Sequence, residues 1–398
     1  MEFNFSARAK RMQPSATLEV SAKAKALARE GKPIISFGSG EPDFASPPSA
    51  MTSAKEAIDR GETHYTPATG IPELKEAVAD YYARHFGLKY SPQQVLIGAG
   101  AKPLIYEALG CLVDPGDEVL VFAPAWVSYV EQIRLCDGKE VVVDTSRSGF
   151  LPDLKEIRAA ISDRTVGMMI NTPNNPTGAV YSADLLKGIA KIALDNGLWI
   201  IYDEIYERLT YDGIGHSNIV QVAPETLDRT IIINGVSKAY AMTGWRIGYA
   251  LGPKDVIAKM GEFQGHLTSN PTSIAQWAAL GAIKGAEEDV KKMVSAFASR
   301  RKRMLEMLNS MPHIKVTEPK GAFYVFVDIK ECLGKRKDGK EISDDVAFCQ
   351  ILLGDEYLAL VPGSAFLAPG YVRLSYANSM EEIEEGMKRL DRFLNSIR

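Results

Sequence analysis

Residues 166–206 read VGMMINTPNNPTGAVYSADLLKGIAKIALDNGLWIIYDEIY, and this stretch decides the fold. Two runs in it, VGMMI and LWIIY, are apolar at every position. Strands buried on both faces of a sheet look like this. Between them, Ser182–Asn196 has the spacing of a helix. Strand, helix and strand in that order ask for a parallel pair in an α/β layer architecture.

The same alternation extends outward in both directions. Candidate strands are Gln94–Ile97, Glu118–Phe122, Glu140–Asp144, Val166–Asn171, Leu198–Tyr202, Thr230–Asn234 and Ile247–Ala250. Helix-like stretches include Ile71–Phe86 and Trp126–Leu135. The expectation is an α/β unit over residues 48–285, built on a mostly parallel seven-stranded sheet. After residue 286 the texture changes. A long charged helix over Glu288–Ser310 is followed by a strand (Gly321–Asp328), a helix (Asp344–Leu353), two strands (Ala359–Val361, Val372–Tyr376) and a final helix (Met380–Ser396). This predicts a smaller α+β domain. A helix from Pro14-Ser15 to Gly31 and a short strand, Ile34–Phe37, join it from the other end, so residues 1–47 and 286–398 form one discontinuous unit. Gly334–Gly339, GKRKDG, reads as a solvated surface loop.

Composition narrows the class of function. Lys and Arg total 46 against 50 Asp and Glu, a net charge of −4, without the basic excess that nucleic-acid binding needs. No apolar run approaches the ~18 residues of a membrane span, and the N-terminus has no signal-peptide core, so a cytoplasmic protein is expected. Cys111, Cys136, Cys332 and Cys349 form no CxxC pair, and the five histidines are scattered. Reduced thiols are expected, and no metal site.

Ligand sites in α/β sheets lie beyond the carboxyl ends of the strands. There this chain places Gly98-Ala-Gly-Ala-Lys102, Asn171–Gly178, Asp203-Glu-Ile-Tyr206 and Gly235-Val-Ser-Lys238, with Arg246 eight residues further on. No Ser-His-Asp set, GxSxG elbow or P-loop is present. Pro103 stands where a GxGxxG fingerprint needs its third glycine, but a Gly-rich turn opening a helix still presents N–H groups to one phosphate. An aspartate, a lysine and a phosphate cradle without a metal fit pyridoxal 5'-phosphate. Its aldehyde needs a lysine amine, and its ring nitrogen needs a carboxylate to stay protonated.

Several segments carry a resemblance. They are SFGSGEPDF (36–44), HYTPATG (64–70), PAWVSY (124–129), NTPNNPTG (171–178), DEIY (203–206), GVSKAYAMTGWRIGY (235–249) and YVRLSY (371–376). In that order they are similar to the class I/II pyridoxal-phosphate-dependent aminotransferases of fold type I. They most resemble the bacterial group containing aspartate and prephenate aminotransferases. The resemblance covers essentially the whole chain.

It implies a catalytic set of Lys238, Asp203 and Tyr206. Lys238 would carry the cofactor and then shuttle the proton. Asp203 would pair with the ring N–H, although it also suits the cap of a helix beginning at Glu204 and Ile205. Tyr206 and Asn175 would bind the phenolic oxygen, and Asn175 also suits its Asn-Pro turn. Ser237, Arg246 and the N–H groups of Gly100 and Ala101, next to Lys102, would hold the phosphate. Trp126 would stack on the ring, or simply pack in the core. Tyr65 would reach the phosphate of a second subunit, making a homodimer with shared active sites. Arg373 would clamp the substrate α-carboxylate with Asn175 and Gly40, unless it is a surface arginine on an edge strand. Lys102 would meet a distal carboxylate, unless it is a solvated first-turn lysine, and Ser15 and Thr17 lie on a segment expected to fold over the substrate. The implied reaction is ping-pong transfer of an amino group from an L-amino acid, L-aspartate, to a 2-oxo acid, 2-oxoglutarate. Prephenate, aromatic or alanine transamination, a β-lyase, or a non-catalytic regulator on the same cofactor are the alternatives.

Overall fold

The computed structural model describes residues 3–12 and 16–398, with the side chains of residues 16–19 and 21 outside the described set. The expected helix start at Pro14-Ser15 and the substrate contacts of Ser15 and Thr17 therefore lie outside the described residues. The helix itself runs Ala16–Arg29.

All seven expected strands pair into one sheet. Their spatial order is Val95–Gly98, Gly248–Leu251, Thr230–Gly235, Trp199–Asp203, Thr165–Asn171, Glu118–Ala123 and Lys139–Asp144. Every pairing is parallel except the two made by Gly248–Leu251. Alternate residues of the central strands enter two different cores. Met168, Ile170, Ile200 and Tyr202 pack against Pro48–Asp59, Pro72–Phe86, Ala183–Asp195 and Ser273–Gly285. Met169 and Ile201 pack against Ala101–Leu112, Ser128–Leu135 and Lys254–Leu267. The unbroken apolar runs are thus explained by helices on both faces.

A third core gathers around an antiparallel sheet of Val361–Pro362, Tyr371–Ser375, Tyr324–Asp328 and Lys315–Val316. Helices Glu287–Leu308, Asp345–Glu356 and Met380–Ser396 cover it. Ile35–Ser36 pairs in parallel with Leu358–Ala359, which ties the N-terminal segment to this C-terminal layer.

Three local expectations change. The single strand expected over Ala359–Val361 is two strands in different sheets, because the chain leaves the pairing with Ile35–Ser36 and joins Tyr371–Ser375. GKRKDG is a hairpin: Arg336–Lys337 pairs with Lys340–Glu341, and Asp338 and Gly339 have φ of 48° and 81°. An Asp-Gly pair with both φ positive is the turn that matches strand twist. The helix expected from Trp126 starts at Ser128, which leaves Trp126 and Val127 free to line a cavity.

Candidate active site

The parallel strands end together, at Gly98, Ala123, Asn171, Asp203 and Gly235. Gly248–Leu251 runs the other way, so its N-terminal flank, with Arg246, arrives at the same rim. A cavity of about 430 Å³ opens there. Of the residues expected to act, Gly40, Ala101, Lys102, Trp126, Asn175 and Asp203 line it, as do Tyr206, Ser237, Lys238, Arg246 and Arg373. Tyr65 does not. It is 93% exposed and lies away from this cavity.

Asp203 is the last residue of its strand and is 4% exposed. Tyr129 Oη donates to Oδ2 at 2.6 Å, and the Ile205 N–H donates to Oδ1 at 3.1 Å. The second bond closes a turn; no helix starts at Glu204-Ile205, so Asp203 is not the helix cap that its position also suggested. Burial pushes the Asp203 carboxyl up to about 6, against the pull of those two donors. A cationic N–H facing it from the cavity would restore the charge.

Lys238 follows the next strand by three residues, and its Nζ donates to the Gly40 carbonyl at 2.6 Å. Burial pulls the amine down to about 8, with the Glu41 carboxylate opposing. A lysine this close to neutrality is a usable base.

The helix Ala101–Leu112 begins beside these groups, with Gly100 as its N-cap at φ 97°. A Cβ on Gly100 would stand 2.4 Å from Arg246 Nη2, and one on Gly248 would stand 2.4 Å from Ala101 N. Glycine at both positions lets the helix start, the antiparallel strand and the guanidinium converge. Gly100 itself is a correction. Its N–H is already bonded to the Gly98 carbonyl at 2.8 Å, so it contributes conformation rather than a donor. The open donors are the first-turn N–H groups from Ala101 onward, the Ser237 hydroxyl and Arg246. Arg246 donates to the Thr243 carbonyl and forms no ion pair with a described residue. Converging donors and a cation at a helix N-terminus suit a phosphate.

Arg373 comes from the antiparallel sheet and is 3% exposed, not a surface residue. Nη1 donates to Asn175 Oδ1 at 3.0 Å and Nη2 to the Gly38 carbonyl at 3.0 Å, while buried Nε has no partner. The guanidinium lies 4.3 Å from the ring centre of Tyr324, and burial lowers its pKa. No carboxylate of a described residue pairs with it. A buried cation without a counter-ion is costly, and a carboxylate ligand in the cavity would relieve it.

Asn175 is held from behind, where its N–H donates to Asn171 Oδ1 at 2.8 Å. It therefore serves both turn and cavity. Trp126 joins the core under the cavity and meets Tyr129 edge-on at 5.3 Å, so packing and site coincide there too. Lys102 Nζ lies 4.8 Å from the Trp126 ring centre, at the exposed side of the cavity.

Sequence inspection missed Tyr129, Tyr324 and the Gly38 carbonyl. Tyr129 had a signal, three residues after Trp126 at a helix start. Tyr324, whose Oη is 3.0 Å from Tyr206 Oη, had none, because it arrives from a different sheet. All four cysteines are free thiols, and the described residues contain no metal-binding cluster and no helix long and apolar enough to cross a membrane.

Comparison with known proteins identifies relatives of similar sequence and fold. The family model described as aminotransferase class I and II matches residues 32–390. The chain is 42% identical over 388 residues to an aspartate aminotransferase of Bacillus sp. (strain YM-2), covering 97% of this chain and 98% of that one. It is 43% identical over 387 residues to an aspartate/prephenate aminotransferase of Cereibacter sphaeroides, covering 96% of each. The crystal structure of the Rhizobium meliloti aspartate aminotransferase superposes with a TM-score of 0.96 at 39% identity, over 100% of both chains.

Proposed function

The chain belongs to the aminotransferase class I and II family and is a pyridoxal-phosphate-dependent aminotransferase; from that premise we propose that it takes the amino group of L-aspartate and passes it to 2-oxoglutarate. The observation that carries this reading is the charge layout of the cavity. Buried Arg373 offers one carboxylate site, exposed Lys102 offers a second, and Lys238 and Asp203 lie in the same cavity.

When bound, the cofactor would supply a protonated ring able to act as an electron sink for the substrate Cα. Asp203 would keep that ring protonated. Ser237, Arg246 and the first-turn N–H groups of Ala101 and Lys102 would hold the phosphate. Tyr206 and the free Nδ2 of Asn175 would donate to the phenolic oxygen, and Trp126 would stack on the ring. Arg373 grips the α-carboxylate in a bidentate pair and so orients Cα–H toward Lys238. The neutral amine of Lys238 would take the proton from Cα, become an ammonium, and give the same proton up again on the cofactor side, which leaves the amine neutral.

Half-reactions against a panel of amino acids and 2-oxo acids test the assignment. Turnover with alanine but not aspartate would overturn it. Prephenate also carries two carboxylates, and one 43% identical relative is named for both substrates, so prephenate belongs in the panel.

Two variants of condition and sequence sharpen the test. Lys102→Ala is expected to raise KM for aspartate by roughly tenfold, one lost charge contact, and to leave alanine unchanged. Equal losses for both would remove Lys102 from specificity. The rate at which cofactor-free protein takes up pyridoxal phosphate should climb with pH. The reactive form of Lys238 is the neutral amine, which gains population as pH rises through about 8. Stopped-flow absorbance that is flat between about pH 6.5 and 9 would contradict this role.

The large unit 48–285 and the discontinuous unit 1–47 with 286–398 are proposed as two domains that meet at this cavity, in a cytoplasmic enzyme. Exposed Tyr65 supports a homodimer in which each copy completes the other's phosphate site. Sedimentation at twice the 43.5 kDa chain mass is expected, and Tyr65→Phe should loosen cofactor binding. A fully active monomer would refute the shared site.

A further inference from the structure

The segment Asp203–Glu207 carries three buried carboxylates, and only Asp203 faces the cavity. Glu204 is fully buried on the other side. Its Oε1 accepts from Tyr82 Oη at 2.6 Å, and its Oε2 accepts from Asn218 Nδ2 at 2.9 Å and lies 2.6 Å from His216 Nε2. Tyr82 Oη accepts in turn from Asn234 Nδ2 at 3.2 Å, and Asn234 Oδ1 takes the Gly235 N–H at 2.7 Å. Gly235 ends its strand, three residues before Lys238. One buried chain of hydrogen bonds therefore runs from the neighbour of Asp203 to the loop of Lys238.

Backbone pairing does part of this work, and on the Lys238 side the Val236 N–H donates to the Ile247 carbonyl at 3.2 Å. The ladder between the two strands ends at Asp203 opposite Ile233, with one further bond from the Glu204 N–H to the Ile233 carbonyl. Past that point the two strand ends are joined by side chains.

We propose that the chain Glu204–Tyr82–Asn234 holds Asp203 and Lys238 in register, making Glu204 and Tyr82 positioning residues for bound pyridoxal phosphate. The proposal rests on the roles assigned above to Asp203 and Lys238. Glu204 also sets the field behind Asp203. The groups around it are the phenols of Tyr82, Tyr90, Tyr202 and Tyr249, with His216 and Glu207. Burial pushes all four phenols up, so they remain neutral donors. Its negative charge adds to the burial that raises the Asp203 carboxyl.

The test uses the loaded enzyme and two readouts besides activity: the cofactor dissociation constant, and the pH midpoint of the bound cofactor's visible absorbance. Tyr82→Phe keeps the ring and removes the bonds at both ends, so the dissociation constant should rise about tenfold. Glu204→Gln keeps the shape and removes the charge. Cations on the cofactor side then lose a stabilising neighbour, and the midpoint should fall by up to about one pH unit. Wild-type values of both readouts in both variants would overturn the proposal, whatever happens to thermal stability. If Glu204→Gln fails to fold, Glu204→Asp decides: it retains the charge but withdraws from its partners. Weaker cofactor binding at an unmoved midpoint supports the proposal, and an unchanged dissociation constant overturns it. A wild-type protein that takes up no pyridoxal phosphate would instead refute the parent assignment.

Discussion

Lys238→Ala is expected to lower the rate of amino transfer by about 10²–10⁴-fold, the usual worth of a positioned acid–base group. The loss follows from the cavity. Lys238 Nζ stands against the Gly40 carbonyl, and burial holds its amine near neutrality at about 8. Lys102 sits at the exposed side of the cavity, against Trp126. Alanine removes one hydrogen bond and leaves strand and cradle in place, so the variant should fold normally. Its absorbance with added pyridoxal phosphate should match the free aldehyde, since no amine is left to bond it. A small primary amine in the buffer should restore part of the rate by supplying the missing base. A variant that transaminates at the wild-type rate would sink the assignment.

The second large effect belongs to Arg373. Arg373→Lys is expected to cut kcat/KM by about 10–10²-fold, the ~1.5–3 kcal/mol typical of losing a hydrogen bond to a charged group. The charge is kept, so the loss isolates geometry. A guanidinium can bond Asn175 Oδ1 and the Gly38 carbonyl and still present a planar edge to a carboxylate. An ammonium is a point donor and cannot satisfy all three. Because every α-amino acid carries this carboxylate, aspartate and alanine should suffer alike, unlike the selective loss expected from Lys102→Ala. A loss below about threefold, or one confined to aspartate, would place the α-carboxylate elsewhere.

Both predictions concern residues visible in the sequence, and the reason is local. Lys238 and Asp203 each follow an apolar strand, and the direction of a strand in a parallel sheet dictates where its end lies. The cradle was legible for the same reason, with a glycine turn opening a helix. Gly100 shows the limit of that inference. The residue type was informative, but its N–H turned out to be taken by the Gly98 carbonyl. The hairpin at Arg336–Glu341 was legible in principle, from Asp338-Gly339, but its charge density masked the turn signal.

What stayed hidden depends on contacts between distant segments. Arg373 finds the Gly38 carbonyl 335 positions away, while its place beside Asn175 was implied by the family resemblance and not by any local pattern. Tyr324 joins Tyr206 across 118 positions, and Tyr129 reaches Asp203 across 74. No periodicity within a window encodes such pairs.

The sequence by itself determined the alternation of buried strands and helices, and hence the sheet, its rim and the chemistry-bearing residues along it. Apolar patterning is a property of single segments, and a segment's own period reveals the faces it must bury. The tertiary structure alone decided how the antiparallel strand carries Arg246 to the rim, and how the second sheet places Arg373 and Tyr324 over it. It also joined Glu204, the neighbour of Asp203, to Asn234 through Tyr82. Those are matters of distance between side chains from separate elements. A buried charge or phenol takes whichever partner packing brings within about 3 Å.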